Sequence, residues 1–328
     1  MSGTAPSSGL IDVHHHILPP PYVAAVGEAA IGALLVSGRA PAWTPRHSVE
    51  AMDRNGIATA ITSMSAPPLA GADAAAVRRL ARQCNEFAAE MVAAHPGRFG
   101  VFATLPLPDI DGSLAEIGYA LDRLGADGIG LLTNYGGLYP GDAALAPVFD
   151  ELNRRSAVVY FHPTTSGAPC NCVAGVPAAT LDFPFDTTLA ITSLLFGGTF
   201  SRCQNIRFVF SHAGGTLPFL AERVRRLERR PEFREKVPNG VMAELQRLNF
   251  DTALSANRFA FSALLELVAC ERVLFGSDYP FAPEDTMTAS VAGLKALGLA
   301  DADLGAIERR NALRLLPGLA SRIGAAAS

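Results

Sequence analysis

Lysine, tryptophan and long apolar runs are scarce in this sequence, and neither charge sign dominates it. The 328 residues include two lysines and one tryptophan, and the formal net charge is −4. This balance leaves no strongly basic surface for a nucleic acid or an anionic membrane, so we expect a small-molecule partner. The longest apolar run, Val23–Val36, contains Glu28 and is too short to span a bilayer.

Cysteine is also scarce, and its number is odd. The five cysteines show one close pair, Cys170-Asn-Cys172, which is a weak indication of a metal site because no second pair accompanies it. Unpaired cysteines favour reduced thiols over a disulfide framework, and we therefore predict a cytoplasmic protein. Residues 1–9 lack the charged and apolar regions of a signal or transit peptide and are predicted to be a disordered segment before a single domain over residues 10–320.

Short apolar runs alternate with longer stretches of helical periodicity, which is typical of βαβ units and a parallel sheet. The runs number eight, as a closed (β/α)8 or TIM barrel requires. The predicted strands are Leu10–His14, Ile57–Ser63, Phe99–Leu105, Gly128–Leu132, Val158–His162, Ile206–His212, Leu248–Thr252 and Arg272–Asp278. The clearest predicted helices are Ala72–His95, Leu114–Leu124, Ala143–Arg155, Leu181–Phe196, Leu217–Arg230 and Ala256–Ala269.

The sequence Asp12-Val13-His14-His15-His16 lies at the end of the first predicted strand. His14 and His16 are two residues apart, so their side chains point to the same side of an extended strand. Two imidazoles on one side suggest a pair of metal ligands, although a histidine run taken alone fits an exposed cluster equally well. His15 must point to the opposite side, where packing against a helix or contact with solvent is its expected role.

Three further residues with metal-binding side chains close other predicted strands. His162 closes the fifth strand, His212 the sixth and Asp278 the eighth. The carboxyl ends of barrel strands converge on one face, where catalytic groups lie in this fold. Each residue alone fits a buried histidine or a turn-capping aspartate, but chance does not explain why all three fall at strand ends. We predict that they meet His14 and His16 around one ion, with Zn²⁺ favoured and Mn²⁺ as the alternative.

Two segments exceed what a minimal barrel needs. Pro19–Asp53 follows the first strand and Thr164–Pro184 follows the fifth, so both are expected on the rim that carries the histidine pair. His47 lies in the first segment, within reach of the predicted pocket. His95 ends a predicted helix, where an interaction with the helix dipole is its expected role.

Four motifs mark the proposed site: Asp-x-His-x-His, Phe-His-Pro, Ser-His-Ala-Gly-Gly and Gly-Ser-Asp-Tyr-Pro-Phe. Together they resemble the amidohydrolase superfamily, and within it the branch of aminocarboxymuconate semialdehyde decarboxylase and the metal-dependent hydroxybenzoate decarboxylases. The resemblance covers nearly the whole chain. It implies a distorted TIM barrel, a homodimer, metal ligands at His14, His16, His162 and Asp278, and a catalytic histidine at His212.

The shortage of lysine bears on whether the site holds one metal ion or two, since both types occur in that superfamily. Its binuclear members commonly bridge two metals through a carboxylated lysine at the end of strand 4. The lysines of this chain, Lys236 and Lys295, lie far along the sequence from Gly128–Leu132. The resemblance therefore implies a mononuclear site.

The segment before Met52 departs from the muconate-semialdehyde enzymes. Those enzymes hold a second substrate carboxylate with arginines, and the position that matches one of them is Ser48 here. Arg46 is the nearest possible replacement, so a dicarboxylate substrate is disfavoured. The sequence Pro41-Ala-Trp43-Thr-Pro45 instead resembles the 6-methylsalicylate decarboxylase group.

We therefore predict a metal-dependent, non-oxidative decarboxylase of a small aromatic acid, such as 6-methylsalicylate or a related ortho-hydroxybenzoate. The ion would chelate the carboxylate and the phenolate oxygen, and an acid would protonate the ring carbon so that CO2 can leave. Asp278 is the first candidate for that acid and His212 the second. The alternatives are a hydrolase of a lactone or amide that uses a metal-bound hydroxide, and a non-catalytic metal-binding scaffold.

Several rim residues are candidates for substrate binding. Trp43, Phe183 and Tyr279 could clamp an aromatic ring, as could Phe185 and Phe281, although ordinary packing explains any single one of them. The charged candidates are Arg46 and Arg223. For Arg223 a dimer contact or a solvated helix face is an equally good interpretation.

Overall fold

Eight parallel strands form a TIM barrel in the computed structural model, which describes residues 9–165, 173 and 175–324. The strands pair in sequence order from β1 to β8. Main-chain bonds close the ring, since Val13 N donates to Phe275 O over 2.9 Å and Asp278 N donates to His14 O over 2.8 Å. The strands are β1 (Leu10–His16), β2 (Ile57–Ser63), β3 (Phe99–Thr104), β4 (Gly128–Leu132), β5 (Val158–His162), β6 (Arg207–Phe210), β7 (Asn249–Asp251) and β8 (Val273–Leu274).

Helices surround the barrel and fill the connections between its strands. Those up to β6 are α1 (Pro20–Val26), α2 (Glu28–Ala33), α3 (Pro45–Arg54), α4 (Ala74–Ala94), α5 (Ile110–Asp122), α6 (Ala146–Arg154), α7 (Ala178–Phe196) and α8 (Thr199–Arg202). Those after β6 are α9 (Leu217–Arg225), α10 (Pro231–Arg234), α11 (Val241–Leu245), α12 (Arg258–Leu267), α13 (Glu284–Ala296), α14 (Asp301–Gly305), α15 (Asn311–Leu315) and α16 (Pro317–Arg322).

The predicted strands are confirmed in number, order and direction, with differences at their ends. β1 extends through His16, so both proposed ligands of the first motif lie on the strand itself. β6 ends at Phe210 and β8 at Leu274, which places His212 and Asp278 in the loops beyond their strands. These loops still open on the carboxyl face of the barrel.

The predicted helices are confirmed with shifted boundaries. The second of them starts at Ile110 because Asp109 caps it, accepting a hydrogen bond from Gly112 N over 3.1 Å. The long segment after β1 folds into α1, α2 and α3. No helix of the described residues has the length and apolar character needed to cross a bilayer.

The core consists of three clusters. One packs inside the barrel and continues onto the C-terminal helices, including Val13, Phe102, Tyr160 and Leu316. The largest lies between the strands and the surrounding helices, and the smallest packs α1 and α2 against α4. β1 contains a register shift between Asp12 and His15, where three steps along β1 match two along β2. Such a bulge re-aims the side chains that follow it, here the histidines of the first motif.

Candidate metal centre

Three imidazoles and one carboxylate converge at the carboxyl face of the barrel. His14, His16, His162 and Asp278 are buried, and each offers a ligand atom within 4.8 Å of the others. His14 Nε2 lies 3.0 Å from His16 Nε2, and Asp278 Oδ1 lies 3.1 Å and 3.0 Å from these two nitrogens. Ligand atoms around a tetrahedral zinc lie roughly 3.3 Å apart, so the spacing fits a small divalent ion.

The opposite nitrogen of each imidazole is held by an acceptor. His14 Nδ1 lies 2.9 Å from Asp251 Oδ2, and His162 Nδ1 lies 2.8 Å from the carbonyl oxygen of Pro163. His16 Nδ1 faces the carbonyl oxygen of Ser63 over 3.3 Å. These contacts place the ring proton on Nδ1 and leave the Nε2 lone pair for a cation.

One ligand atom is left without any partner. His162 Nε2 is buried and makes no hydrogen bond to the described residues. A buried polar atom in this state costs free energy unless a ligand satisfies it. The donor set and this orphaned nitrogen together identify a metal site.

Charge at the site favours a cation. Burial opposes protonation of His14, but the carboxylates of Asp251 and Asp278 outweigh it and raise the pKa of His14 to about 10. Burial lowers the pKa of His162 to about 3, which keeps that ring neutral and able to act as a ligand. Burial likewise opposes ionisation of Asp278, yet the neighbouring imidazoles hold its pKa well below the usual range. The same carboxylates that favour a proton on His14 favour a divalent ion.

Asp251 is a residue of the candidate site that the sequence motifs did not identify. It is fully buried at the end of β7, and Tyr160 donates to its Oδ2 over 3.0 Å. Its Oδ1 accepts from the main-chain nitrogens of His212 and Ala253, each over 3.0 Å. Asp251 therefore connects the ligand His14 to the backbone that carries His212. Its position at a strand end was the available signal.

His212 lies next to the ligand group, which consists of His14, His16, His162 and Asp278, but it is not a member of that group. Its Nε2 is 3.5 Å from Asp278 Oδ2, on the carboxylate oxygen that faces away from His14 and His16. His212 and Asp278 both have left-handed backbones, with φ of 52° and 65°. Non-glycine residues in this region are strained, and such strain concentrates at functional sites.

His15 lies on the opposite side of β1 from the ligand group, as its position between two ligands predicts. It is fully buried, with Nε2 2.8 Å from Ser48 Oγ on α3 and Nδ1 3.1 Å from Asp12 Oδ2. Asp12 also accepts from Ser277 N over 3.0 Å, next to Asp278. This network ties α3, β1 and the loop after β8 together.

Gly276 lies where the backbone passes between His14 and Asp251, and we expect Gly276→Ala to weaken metal binding. A Cβ there would lie 2.7 Å from His14 Cβ and 3.1 Å from Asp251 Cβ, so both side chains must shift. Overpacking of this kind costs roughly 1–3 kcal/mol of folding free energy. A chelator-competition titration and thermal unfolding measure the two effects.

Gly118→Ala on α5 is the matched control. A Cβ at position 118 would meet Arg155 Nη2 at 3.6 Å, an ordinary contact. Alanine at this helical position is expected to be neutral or stabilising by up to about 1 kcal/mol. Unchanged metal affinity in Gly276→Ala would contradict the packing argument.

A cavity of about 330 Å³ opens beside the ligand group. His162, His212 and Asp278 form part of its wall, and most of the remaining wall is apolar. No arginine or lysine lines it among the residues that the structure describes. The other lining residues are Leu34, Leu35, Val36, Ser37, Ser65, Ala66, Ala179, Phe183, Leu254, Phe281, Ala282, Pro283, Asp285 and Thr286.

Two of the aromatic residues predicted to bind the substrate ring, Phe183 and Phe281, line this cavity. The Phe183 ring lies 5.9 Å from that of His162 in an edge-on arrangement. Phe281 packs edge-on against His16, with 5.2 Å between ring centroids.

The other predicted substrate-binding residues lie outside the cavity wall. Trp43 Nε1 donates to Ser48 Oγ over 2.8 Å, and the Tyr279 ring packs 5.2 Å from that of His15. Arg46 is 85% exposed and pairs with Glu50 on the surface of α3.

Two more predicted positions are exposed, and one pair is not described. Arg223 is exposed on α9, and His47 is exposed on α3 outside the cavity wall. Cys170 and Cys172 lie outside the described residues.

This chain is similar to known proteins over most of its length. A family described as amidohydrolase matches residues 11–318. A 6-methylsalicylic acid decarboxylase of Aspergillus aculeatus is 38% identical over 320 residues, which cover 94% of this chain and 96% of that protein. One of Penicillium expansum is 36% identical over 314 residues, with the same coverage.

A solved structure shows the same fold. It is a dihydroxybenzoic acid decarboxylase from Polaromonas with bound manganese and the inhibitor 2-nitroresorcinol. Its TM-score is 0.79 at 23% identity, covering 94% of this chain and 97% of that chain.

Proposed function

This chain belongs to the amidohydrolase family and is a metal-dependent decarboxylase, and we propose that its substrate is a small ortho-hydroxybenzoic acid such as 6-methylsalicylate. The observation that carries the proposal is the largely apolar cavity beside the group of His14, His16, His162 and Asp278. A flat aromatic acid fits a pocket with polar groups at one end and apolar walls at the other.

We propose that one ion, Zn²⁺ in preference to Mn²⁺, is the resident metal. Three imidazole nitrogens and a carboxylate oxygen suit zinc, while the manganese in the Polaromonas enzyme supports the alternative. Bound there, the ion would supply positive charge for the carboxylate and phenol oxygens of the substrate.

The cavity wall favours an acid with a single carboxylate. Phe183 and Phe281 provide aromatic faces for the ring, and Ala66 and Leu35 add apolar surface. Among the described lining residues no cation is available to pair with a second carboxylate. An apolar substituent such as a methyl group is therefore accepted against the apolar part of the wall, in keeping with the substrate named for the Aspergillus aculeatus relative.

The reaction requires one proton at the ring carbon that carries the carboxylate. When that carbon gains the proton, the bond to the carboxyl group breaks, its electrons return to the ring and CO2 leaves. Asp278 is our first candidate for the donor because it lines the cavity with Oδ2 free of the ligand contacts made by Oδ1. The neighbouring imidazoles keep this carboxyl ionised, so it must first take up the proton that it delivers. His212 is the second, since its Nε2 lies 3.5 Å from Asp278 Oδ2 and it lines the same cavity.

The remaining predicted substrate residues are proposed to act indirectly. Trp43 donates to Ser48, and Tyr279 packs against His15, on the side of β1 that faces away from the ligand group. We therefore expect substitution of either residue to affect activity less than substitution of Phe183. Arg46 and Arg223 are exposed, and their proposed contribution is attraction of the anionic substrate from solution.

We further propose a cytoplasmic homodimer. Leu181, Phe185 and Leu189 repeat every four residues on α7 and are 42%, 52% and 51% exposed. This apolar stripe on one helix face suits a contact with a second copy. The free thiol of the buried Cys84 is in keeping with a reducing compartment.

Turnover in heavy water is expected to place one deuterium on the phenol product. Metal-loaded protein incubated with 6-methylsalicylate should release CO2 and 3-methylphenol, labelled at the carbon that lost the carboxylate because the proton comes from an exchangeable acid. Mass spectrometry and NMR measure the label. A panel that includes 2,6-dihydroxybenzoate tests the preference for an apolar substituent.

The rival hydrolase reaction has a different isotopic signature. Hydrolysis of a lactone or amide incorporates ¹⁸O from labelled water into the product, whereas direct decarboxylation leaves the phenol oxygen unlabelled. No CO2 from any acid in the panel, together with ¹⁸O incorporation from a lactone, would overturn the proposed function.

A further inference from the structure

Ser65 is a polar residue of the cavity wall for which the site described so far has no role. It follows the carboxyl end of β2 and is 5% exposed. Its Oγ lies 3.4 Å from Nδ1 of the ligand His162. The side chain therefore lies in the cavity beside the ligand group.

The hydrogen bonds of His162 determine which way the Ser65 hydroxyl points. His162 Nδ1 lies 2.8 Å from the carbonyl oxygen of Pro163, which can only accept, so Nδ1 must carry the ring proton. Ser65 Oγ can therefore only accept from Nδ1 at its 3.4 Å distance. The hydroxyl proton of Ser65 then has no acceptor among the described residues.

The hydroxyl proton of Ser65 therefore points into the cavity. Ala66, Phe183 and Phe281 on the same wall offer no side-chain acceptor, and the carboxylates on that wall, Asp278 and Asp285, make no hydrogen bond to Ser65 Oγ among the described residues. A donor on a cavity wall exchanges water for the ligand when an anionic oxygen enters, and a hydrogen bond to a charged group is the stronger of the two.

We propose that Ser65 is a substrate-binding residue whose hydroxyl donates a hydrogen bond to an anionic oxygen of an ortho-hydroxybenzoate. This inference rests on the proposed function, because it assigns the acid to the same cavity. It gives the pocket an oxygen-specific donor that acts in addition to the charge at the ligand group.

Ser65→Ala is expected to weaken binding and leave the chemical step unchanged. The dissociation constant for salicylate and the KM for 6-methylsalicylate should rise about 10- to 100-fold, the usual range for a hydrogen bond to a charged group. The kcat should stay within about threefold, since the contact is present before and during the reaction. Calorimetric titration and steady-state kinetics of the metal-loaded enzyme measure these values.

Ser113→Ala is the matched control. Ser113 is a buried serine with an unpartnered hydroxyl on α5, outside the cavity wall, so its variant should bind salicylate like the wild type. Metal content and thermal unfolding of Ser65→Ala should also match the wild type, which separates a binding role from a structural one.

The outcomes distinguish this inference from the proposed function. Equal salicylate affinity in the wild type and Ser65→Ala overturns the role of Ser65, even when the wild type decarboxylates. A wild type that binds salicylate more tightly than Ser65→Ala, yet decarboxylates no acid, supports the role of Ser65 and counts against the decarboxylase. Loss of metal from Ser65→Ala also overturns the inference.

Discussion

His212→Ala is expected to lower kcat by about 100- to 10,000-fold while the protein keeps its metal. The imidazole lies 3.5 Å from the Asp278 oxygen that the other ligands leave free, and it faces the cavity. Removing it takes away the imidazole outside the ligand group that can hand a proton to Asp278 or to the ring. Steady-state kinetics and metal analysis after gel filtration measure the two properties separately.

His47→Ala provides the control for this experiment. His47 is exposed on α3 and lies outside the cavity wall, so its variant should retain the wild-type kcat. Full turnover in His212→Ala would assign the proton transfer to Asp278 without help from His212. Loss of the metal in His212→Ala would show instead that His212 is a fifth ligand.

The barrel was predictable because its signals are local and repeat eight times. Each strand is a short apolar run, and each intervening helix has the 3.6-residue periodicity of an amphipathic segment. Strand ends are less predictable. β8 contains only Val273 and Leu274, and the residues up to Asp278 continue as an extended loop whose hydrogen bonds to β1 depend on barrel closure.

The ligand group was predictable because strand polarity alone brings the ends of β1, β5 and β8 together. The sequence could not show the register shift in β1 between Asp12 and His15, which depends on pairing with β2. Asp251 was not predicted from the sequence, for a different reason. A single aspartate at a strand end fits a turn cap as well as a ligand support, and its partners His14 and Tyr160 are distant in sequence.

The predicted substrate contacts depended on how the segment after β1 folds. Trp43 and Arg46 lie within or next to α3, and the orientation of that helix follows from packing of its buried face against β1 through His15 and Ser48. This packing places Arg46 on the outer surface. Phe183 lies on the cavity wall because α7 carries it beside His162, with 5.9 Å between the two ring centroids.

Asp251→Asn is expected to weaken metal binding by about 10- to 100-fold, the usual range for the loss of a group that orients a metal ligand. Burial opposes ionisation of Asp251, but the adjacent His14 holds its pKa below the usual value, so the carboxylate is charged. The substitution removes this negative charge from beside the site. It also changes the hydrogen bonds that the side chain can make.

The amide of asparagine cannot satisfy the donors that surround position 251. His14 Nδ1 and the Tyr160 hydroxyl approach one oxygen, while the main-chain nitrogens of His212 and Ala253 approach the other. In either orientation the amide nitrogen faces two donors. We therefore expect a displaced His212 backbone as well as a loosened His14 ring, and hence a loss of kcat that excess metal does not restore.

Tyr160→Phe separates these two consequences. It removes a single donor to Asp251 Oδ2 and leaves the His14, His212 and Ala253 contacts in place. Metal affinity in Tyr160→Phe should therefore fall by less than in Asp251→Asn, and kcat at saturating metal should stay near the wild-type value. Chelator competition gives the affinities, and kinetics at saturating metal give kcat. If Asp251→Asn regained full activity at high metal concentration, Asp251 would act on His14 alone, and its hydrogen bond to His212 would have no part in the reaction.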